Sequence, residues 1–406
     1  MNEQLVVKNF GPIKDATVDF KRVTVFIGPT GGGKSTLAKL AAIFRDIKFH
    51  STREFNSDFF DDYSLSSYFN DEHYLSWGKA DNILSIENKR VFMSEELASA
   101  SSKIIRNEKD ELIKAFRADT SKKLADKTIT FDNVNDKDTY KKLFDTFFQE
   151  VILNTAFRRT LAGAKPTYVP SERIFVAAIN TAWPGLMSEN IGLPKTLTRF
   201  SNDYFQARTS VEALRIAFLK VDFFRLNQQD FIVLENQLPL KISETASGIQ
   251  SVTPLLVLLE HLSRNIEQAQ SFIIEEPELN LYPTAQQGLL NWLVEKCTKG
   301  ENDLTITTHS PYLLAHFNLL LYAYQVAEKH PDRAEDVAKI VPRESWINPK
   351  EFAAYHVEGQ QENGVRSIVN PETGLISYNG LDSTASAETA EFEKLMDINA
   401  GWKSND

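Results

Sequence analysis

Cysteine is almost absent from this chain of 406 residues, which contains only Cys297. One cysteine excludes a disulfide framework within the chain and a zinc site built from several thiolates. Stable disulfides belong to oxidising compartments, so this scarcity favours a reducing, cytoplasmic location.

Long hydrophobic runs are lacking as well. The most apolar runs, at 255–259 and 319–324, are far shorter than the roughly 18 residues that span a bilayer. The start Met1-Asn2-Glu3-Gln4 has neither the basic nor the apolar region of a signal peptide. We therefore expect no signal peptide and no membrane partner.

An excess of positive charge is also missing, because 45 Lys and Arg face 55 Asp and Glu, a net charge of −10. An acidic chain is not a general nucleic-acid binder, so any contact with DNA would need a local basic patch. Solvated surface charge is the alternative explanation for the residues available to form one: Arg158, Arg159, Lys165, Lys195, Arg199 and Arg208.

What is present is a pattern of short strands and amphipathic helices, which predicts an α/β fold. Residues 4–10 and 16–27 alternate as strands, and 35–47 has helical spacing. Further predicted elements are strands at 173–179, 230–234, 271–275 and 304–308, a helix at 248–265, short tail strands at 356–357, 366–369 and 374–378, and an acidic helix at 387–395.

Residues 49–165 differ from their surroundings, being rich in Asp, Lys, Ser and Phe. Helical patterns appear at 94–124 and 141–161, without a sustained heptad repeat. We predict a largely helical insertion and no long coiled coil.

The strongest motif follows the predicted strand at 23–27 and precedes the predicted helix. It matches the P-loop pattern G-x-x-x-x-G-K-[ST], whose glycines let backbone N–H groups surround phosphate oxygens. Lys34 is predicted to reach the β- and γ-phosphates and Ser35 to bind Mg²⁺; a Gly-rich turn capping a helix is the alternative. The motif reads Gly28-Pro29-Thr30-Gly31-Gly32-Gly33-Lys34-Ser35-Thr36.

A second motif is the strand Phe272-Ile273-Ile274, which ends in the carboxylates Glu275 and Glu276. In P-loop ATPases the first carboxylate holds Mg²⁺ and the next can polarise the attacking water. A solvated acidic turn is the alternative, and the preceding P-loop argues against it.

Two weaker motifs involve a histidine and a serine. His309 follows the strand at 304–308, where it can hydrogen-bond a γ-phosphate or serve as an ordinary turn residue. Ser247 and Gly248 open the helix at 248, where they can contact an anion or act as a plain N-cap.

In their chain order, these four motifs resemble the ABC ATPase superfamily. Residues 246–250 look like its signature loop, and His309 looks like its switch histidine. The SMC, RecF and OLD-like branch is suggested by four further segments: Val7-Lys8-Asn9-Phe10-Gly11-Pro12-Ile13, Tyr168-Val169-Pro170-Ser171-Glu172-Arg173, Glu275-Glu276-Pro277-Glu278-Leu279-Asn280-Leu281-Tyr282-Pro283 and Thr308-His309-Ser310-Pro311-Tyr312.

The sequence departs from that family at three places. Glu275 stands where Asp is usual, and Ile249 stands where the second signature glycine is usual. The loop has Thr30-Gly31-Gly32-Gly33 where Asn-Gly-Ser-Gly is usual, and its residues are small enough for the loop to form.

The resemblance implies an ABC-type head with a mixed sheet flanked by helices. The implied divisions are an ATPase lobe at 1–48, the insertion at 49–165, an ATPase core at 166–340 and terminal strands and helix at 341–406. It also implies a head-to-tail homodimer closed over ATP and Mg²⁺, with Ser247 and Gly248 acting in trans and Glu276 as the catalytic base.

Three classes of function compete at this stage. The first is a bacterial anti-phage ATPase resembling the Septu, PARIS and retron types. About 75 residues follow the core strands, too few for a Toprim domain, so this ATPase would control a separate nuclease or toxin. The second is a RecF- or SMC-like repair ATPase that binds DNA. The third is a transporter subunit, disfavoured by the long gap between Lys34 and Ser247.

Overall fold

The computed structural model describes residues 3–50, 55–99, 164–179, 192–235, 237–264 and 268–377, with the single residues 103 and 114. The predicted helix at 387–395, Arg158 and Arg159, and most of the predicted helices at 94–124 and 141–161 lie outside these ranges. The domain divisions therefore stay a prediction.

Fifteen strands are present in the described ranges. They are β1 (Glu3–Phe10), β2 (Ile13–Phe20), β3 (Val23–Ile27), β4 (Tyr74–Lys79), β5 (Asn82–Glu87), β6 (Arg90–Met93), β7 (Lys165–Val169), β8 (Ala213–Ile216), β9 (Val221–Leu226), β10 (Gln229–Leu234), β11 (Leu240–Lys241), β12 (Gln270–Glu275), β13 (Asp303–Thr308), β14 (Phe352–Val357) and β15 (Val365–Ser367).

The helices of the described ranges are connected to these strands by short loops and 3₁₀ turns. They are α1 (Lys34–Arg45), α2 (Ile47–His50), α3 (Asp58–Asp62), α4 (Ile174–Ala178), α5 (Lys195–Ala207), α6 (Ser247–Ser263), α7 (Pro283–Cys297), α8 (Pro311–Lys329) and α9 (Ala334–Ile340).

A six-stranded sheet forms the centre of the molecule, in the order β15-β14-β3-β13-β12-β7. All of its neighbouring pairs are parallel except β14 with β15. Such strands are buried on both faces and are largely apolar, as Val23–Ile27 is, with Thr24 as its one polar residue. The predicted mixed sheet flanked by helices is confirmed.

Two hydrophobic cores lie on opposite faces of this sheet, because successive side chains of a strand point to opposite sides. Val25 and Ile27 of β3 join the core formed with α5, α6, α7 and α8. Phe26 joins the other core, formed by α1 and the antiparallel sheet β2-β1-β4-β5-β6. Helix α1 is therefore held between the two sheets.

Arg45 of α1 is buried in the second core and contacts both of these sheets. Its guanidinium donates to Glu3 Oε2 at 2.8 Å, to Asp303 Oδ1 at 3.0 Å and to Ser271 Oγ at 2.7 Å. It also lies 4.8 Å from the centroid of the Phe20 ring. The helix that follows the P-loop is thus fixed at its C-terminal end.

Three expectations from the sequence are wrong. Residues 374–377 contain only an isolated bridge, between Val369 and Ile376, where the sequence predicts a strand at 374–378, and residue 378 lies outside the described ranges. Residues 173–179 form a 3₁₀ turn followed by α4 instead of a strand, although Ile174-Phe175-Val176 is an apolar run consistent with either element. Within the insertion expected to be helical, residues 74–93 form β4, β5 and β6, because these strands extend the antiparallel sheet begun by β1.

Candidate functional site

The site lies at the carboxyl ends of three neighbouring parallel strands. Glu275 of β12 is aligned with Thr307 of β13, and Thr308 is aligned with Ile27 of β3. Because the three strands end at the same level, the loops that follow them meet at one edge of the sheet, as binding loops do in α/β proteins.

The P-loop packs closely against the end of strand β14. A Cβ atom added to Gly28 or Gly32 would lie 2.3 Å from the carbonyl oxygen of Val357. The Gly359 N–H also donates to the Gly32 carbonyl oxygen at 2.8 Å. Glycine is therefore required at both positions by the approach of a strand from the far end of the sequence.

Lys34 projects from the first turn of α1 back into the loop. Its ammonium donates to the carbonyl oxygens of Gly28 and Pro29 at 2.8 and 2.9 Å. Burial lowers the pKa of Lys34, and the carboxylates of 275–278, Glu276 foremost, oppose that shift. Among the other predicted loop residues, Pro29, Thr30 and Gly31 are exposed, Ser35 is half-buried, and Gly33 and Thr36 are buried.

Glu275 is the last residue of β12 and is 5% exposed. Its Oε1 atom is buried without a hydrogen-bond partner in the part of the chain that the structure describes. Burial, and then the charge of Glu275, raise the pKa of the neighbouring Tyr168 hydroxyl. A buried carboxylate oxygen with no partner is rare and fits the hydrated shell of Mg²⁺, which prefers few carboxylates.

Glu276 and His309 face each other across the site. Glu276 Oε1 lies 3.5 Å from His309 Nε2, and both side chains are partly exposed. Burial, and then the charge of Lys34, lower the pKa of His309 against the opposing effect of Glu276. The imidazole is therefore neutral near pH 7 and able to donate or accept a single hydrogen bond.

The backbone of Glu276 is held in the left-handed region, with φ of 42°. Its N–H donates to the Thr307 carbonyl oxygen at 2.9 Å, so the chain turns sharply at the end of β12. Non-glycine residues in this region carry a cost and persist only where the surrounding structure fixes them.

Arg173 helps to hold this backbone conformation of Glu276. The sequence did not predict a role for it. The side chain is fully buried in the turn after β7. Its guanidinium donates to the carbonyl oxygens of Glu275 at 2.7 Å and Glu276 at 2.6 Å. The order of the sheet accounts for this contact. The strand before Arg173, β7, is the parallel neighbour of β12, so the turn that holds Arg173 reaches the same edge.

Glu278 is a second residue whose contacts were not anticipated. Its Oε1 accepts the Thr308 hydroxyl at 2.5 Å and the His309 N–H at 3.0 Å. The other oxygen, Oε2, is buried with no hydrogen-bond partner among the described residues. Burial raises the pKa of this carboxyl. Glu278 thereby ties the loop after β12 to the loop after β13.

The predicted signature residues lie apart from this cluster. Ser247 is exposed at the first turn of α6. A Cβ added to Gly248 would lie 2.6 Å from the Asn280 carbonyl oxygen, so the turn packs on the loop after β12. In the described ranges, no hydrogen bond or ion pair joins Ser247 to the P-loop. One chain thus brings together Lys34, Glu275, Glu276 and His309, and leaves Ser247 facing outwards.

The P-loop between β3 and α1, and the acidic strand end two strands away, define a P-loop ATPase. A family model described as "AAA domain, putative AbiEii toxin, Type IV TA system" matches residues 23–315. The chain belongs to this family.

Solved structures of similar fold include heads of SMC proteins. The Smc head domain of Pyrococcus furiosus, with an extended coiled coil and the C-terminal domain of ScpA, is 10% identical at a TM-score of 0.34. The SMC head domain of Thermotoga maritima is 13% identical at a TM-score of 0.37. An SmcHead bound to the C-winged helix domain of ScpA is 14% identical at 0.38. Each match covers 78% of this chain and 91% of the other.

No curated protein matches the chain. Across the ranges that the structure describes, no helix combines the length and apolarity needed to cross a membrane. Those ranges also lack a group of three or more His, Cys, Asp or Glu side chains placed to hold a metal ion.

Proposed function

We propose that this chain binds ATP with Mg²⁺, hydrolyses it slowly, and dimerises around it to control a separate effector protein. The observation that carries the proposal is the convergence of Lys34, Glu275, Glu276 and His309 at one edge of the sheet.

Binding depends on the P-loop and on the helix behind it. The first N–H groups of α1 have no partners within the helix, and Gly33 at its N-cap has no side chain to cap them. These groups, the positive end of the helix and the Lys34 ammonium together provide donors and charge for the phosphates of ATP.

Hydrolysis is assigned to Glu276 and His309. Glu276 is partly exposed and directly follows β12, and His309 directly follows the neighbouring β13, so Glu276 can orient a water molecule and accept its proton. His309, neutral near pH 7, is placed to hydrogen-bond the γ-phosphate. The transferred group is the γ-phosphoryl, so the chain's task is positioning and charge stabilisation.

Magnesium would be held by the Ser35 hydroxyl and, through water, by Glu275. Its chemistry there is to neutralise charge on the β- and γ-phosphates. The unpartnered Oε1 of Glu275 fits that assignment, and the glutamate in place of the usual aspartate brings the carboxylate one methylene further out.

The proposed dimer is supported by the exposed position of Ser247. This residue is exposed at the start of α6, and no hydrogen bond or ion pair joins it to the P-loop in the described part of the chain. We therefore assign the contact with bound ATP to Ser247 and Gly248 of a second copy. In that arrangement ATP holds two chains together and Glu276 limits how long they stay together.

The effector is proposed to be a separate nuclease or toxin, and the setting to be bacterial anti-phage defence in the cytoplasm. The family description names a toxin of a toxin–antitoxin system, and such systems act through two components. An ATP-dependent dimer with slow turnover is suited to sensing and scaffolding.

A DNA-binding repair ATPase is the second candidate, and the described basic residues favour it less. Lys195 and Arg199 form ion pairs with Asp62, and Arg208 pairs with the buried Asp230. Arg199 and Lys165 share a cavity of about 900 Å³ with Asp58, Asp62 and Asp203, which gives it no single sign of charge. Phosphate binding needs cations that are not already neutralised.

The proposal is tested by measuring molar mass in solution for Glu276→Gln, with and without ATP and Mg²⁺, beside phosphate release by the unmutated chain. We expect the mass to double with ATP and the variant to retain that state, because hydrolysis no longer ends it. The unmutated chain should release phosphate slowly.

Glu301→Gln is the matched control, because Glu301 is exposed in the turn before β13 and away from the site. It should behave as the unmutated chain does. A chain that hydrolyses ATP well as a monomer would contradict the composite site. A chain that binds no ATP would contradict the proposal as a whole.

A further inference from the structure

Glu276 is the proposed catalytic base, and its backbone conformation is unfavourable unless neighbouring groups hold it. Glu276 has φ of 42°, and the main chain at this residue sets the direction in which its partly exposed side chain leaves the backbone. Whatever fixes the carbonyl groups on either side of this residue therefore fixes the point from which the carboxylate reaches into the site.

Arg173 is the side chain that contacts both carbonyl groups. One terminal nitrogen donates to the Glu275 carbonyl at 2.7 Å and to that of Pro170 at 3.2 Å; the other donates to the Glu276 carbonyl at 2.6 Å. Two parallel donors on one rigid plane orient a peptide in a way that a lysine ammonium does not.

Arg173 carries its charge in a buried position. Burial lowers the pKa of Arg173 to about 10, with the carboxylates of Glu278, Glu276 and Glu275 opposing the shift. The guanidinium thus stays charged at neutral pH in a fully buried position, which is costly unless the surrounding groups compensate it. Those compensating groups are the acidic residues of the site itself.

We infer that Arg173 is the positioning residue for Glu276: its guanidinium clamps the two peptides at the end of β12 and thereby aims the carboxylate at the attacking water. This inference rests on the proposed ATP hydrolysis. It does not involve contact between Arg173 and ATP, so it concerns turnover and not binding.

The test compares Arg173→Lys and Arg173→Met with the unmutated chain by steady-state kinetics, ATP binding and single-turnover hydrolysis. We expect kcat to fall by about 100-fold, as misplacement of a catalytic group by about 1 Å does. KM and the ATP affinity should change little. Both variants should also retain the ATP-bound dimer, as Glu276→Gln does.

A double variant separates positioning from general loss of structure. If Arg173 acts through Glu276, adding Arg173→Met to Glu276→Gln lowers the single-turnover rate no further. Arg208→Met is the control, because Arg208 is a largely buried arginine paired with Asp230, far along the chain from the P-loop. It should lower thermal stability without changing kcat.

The possible outcomes are distinct. Wild-type kcat in both Arg173 variants, or a further loss in the double variant equal to that in the single one, overturns the positioning role while leaving the proposed ATPase intact. An unmutated chain that binds but never hydrolyses ATP overturns the proposed hydrolysis and this inference together.

Discussion

Buried histidines give the molecule a predictable response to acid. His316 is 8% exposed, and its Nε2 lies 2.8 Å from Asn291 Oδ1. Burial lowers its pKa below the ordinary value for histidine, and burial with the charge of Arg366 does the same for His356. The unfolded chain therefore takes up these protons at a higher pH than the folded chain.

The contribution of these two histidines to stability should accordingly be complete above about pH 6.5 and fall as the pH drops below it. We predict a loss approaching about 1.4 kcal/mol per pH unit for each such histidine, measured by urea unfolding at a series of pH values. His316→Gln should flatten the dependence, whereas His330→Gln, at an exposed position after α8, should not. Equal slopes in all three chains would contradict the argument.

At the scale of single residues, the sequence predicts the site residues that lie in specific local motifs. Lys34, Glu276 and His309 are predicted by short runs that end at strand boundaries, and the structure brings those boundaries together. Arg173 and Glu278 are missed because their importance comes from burial against distant backbone, which no local pattern reports.

At the scale of the structural elements, the P-loop is constrained more by its contact with the end of β14 than by its own turn conformation. Gly31 has φ of 79° with nothing near the position of a Cβ, whereas a Cβ on Gly32 would meet the Val357 carbonyl. The two adjacent glycines thus differ in the kind of constraint they are under.

This difference predicts unequal effects of alanine. Gly31→Ala should cost about 1–2 kcal/mol of local backbone energy and leave ATP binding measurable. Gly32→Ala should lower ATP affinity by at least about tenfold, since backbone atoms must move to admit the methyl group. Titration with a fluorescent ATP analogue distinguishes the two, and equal affinities would show that β14 does not support the loop.

Element prediction succeeds for buried strands that end in a recognisable motif and fails for strands that depend on pairing with a distant strand. β3, β12 and β13 are foreseen within a residue or two of their bounds. The antiparallel β4, β5 and β6 are not, because their half-exposed pattern becomes a strand only beside β1. Ile174–Ala178 carries an apolar run that fits a strand equally well and is helical.

At the scale of the whole molecule, the outward-facing Ser247 predicts complementation between defective chains. Lys34→Ala and Ser247→Arg should each abolish hydrolysis alone. In a mixed dimer, one site combines the intact Lys34 of one chain with the intact Ser247 of the other, so mixing the variants should restore partial phosphate release.

The control for this experiment is a mixture of Lys34→Ala with Lys34→Ala,Ser247→Arg, in which no site is intact. Recovery in that mixture, or none in the first, would contradict a site shared between chains. The sequence predicts this sharing only through family resemblance, since a single chain contains no contact that reveals it.

The P-loop begins at Gly28, yet the strand that closes it ends at Val357. During synthesis the ribosome must therefore deliver most of the chain before the loop can take its final shape, because β3 can pair with β13 only once residue 308 is made and with β14 only once residue 357 is made. Such late, distant pairing is typical of slow folding. A nascent or truncated chain that stops short of β14 should therefore bind ATP less tightly than the full chain, because its P-loop lacks the backbone on which it packs.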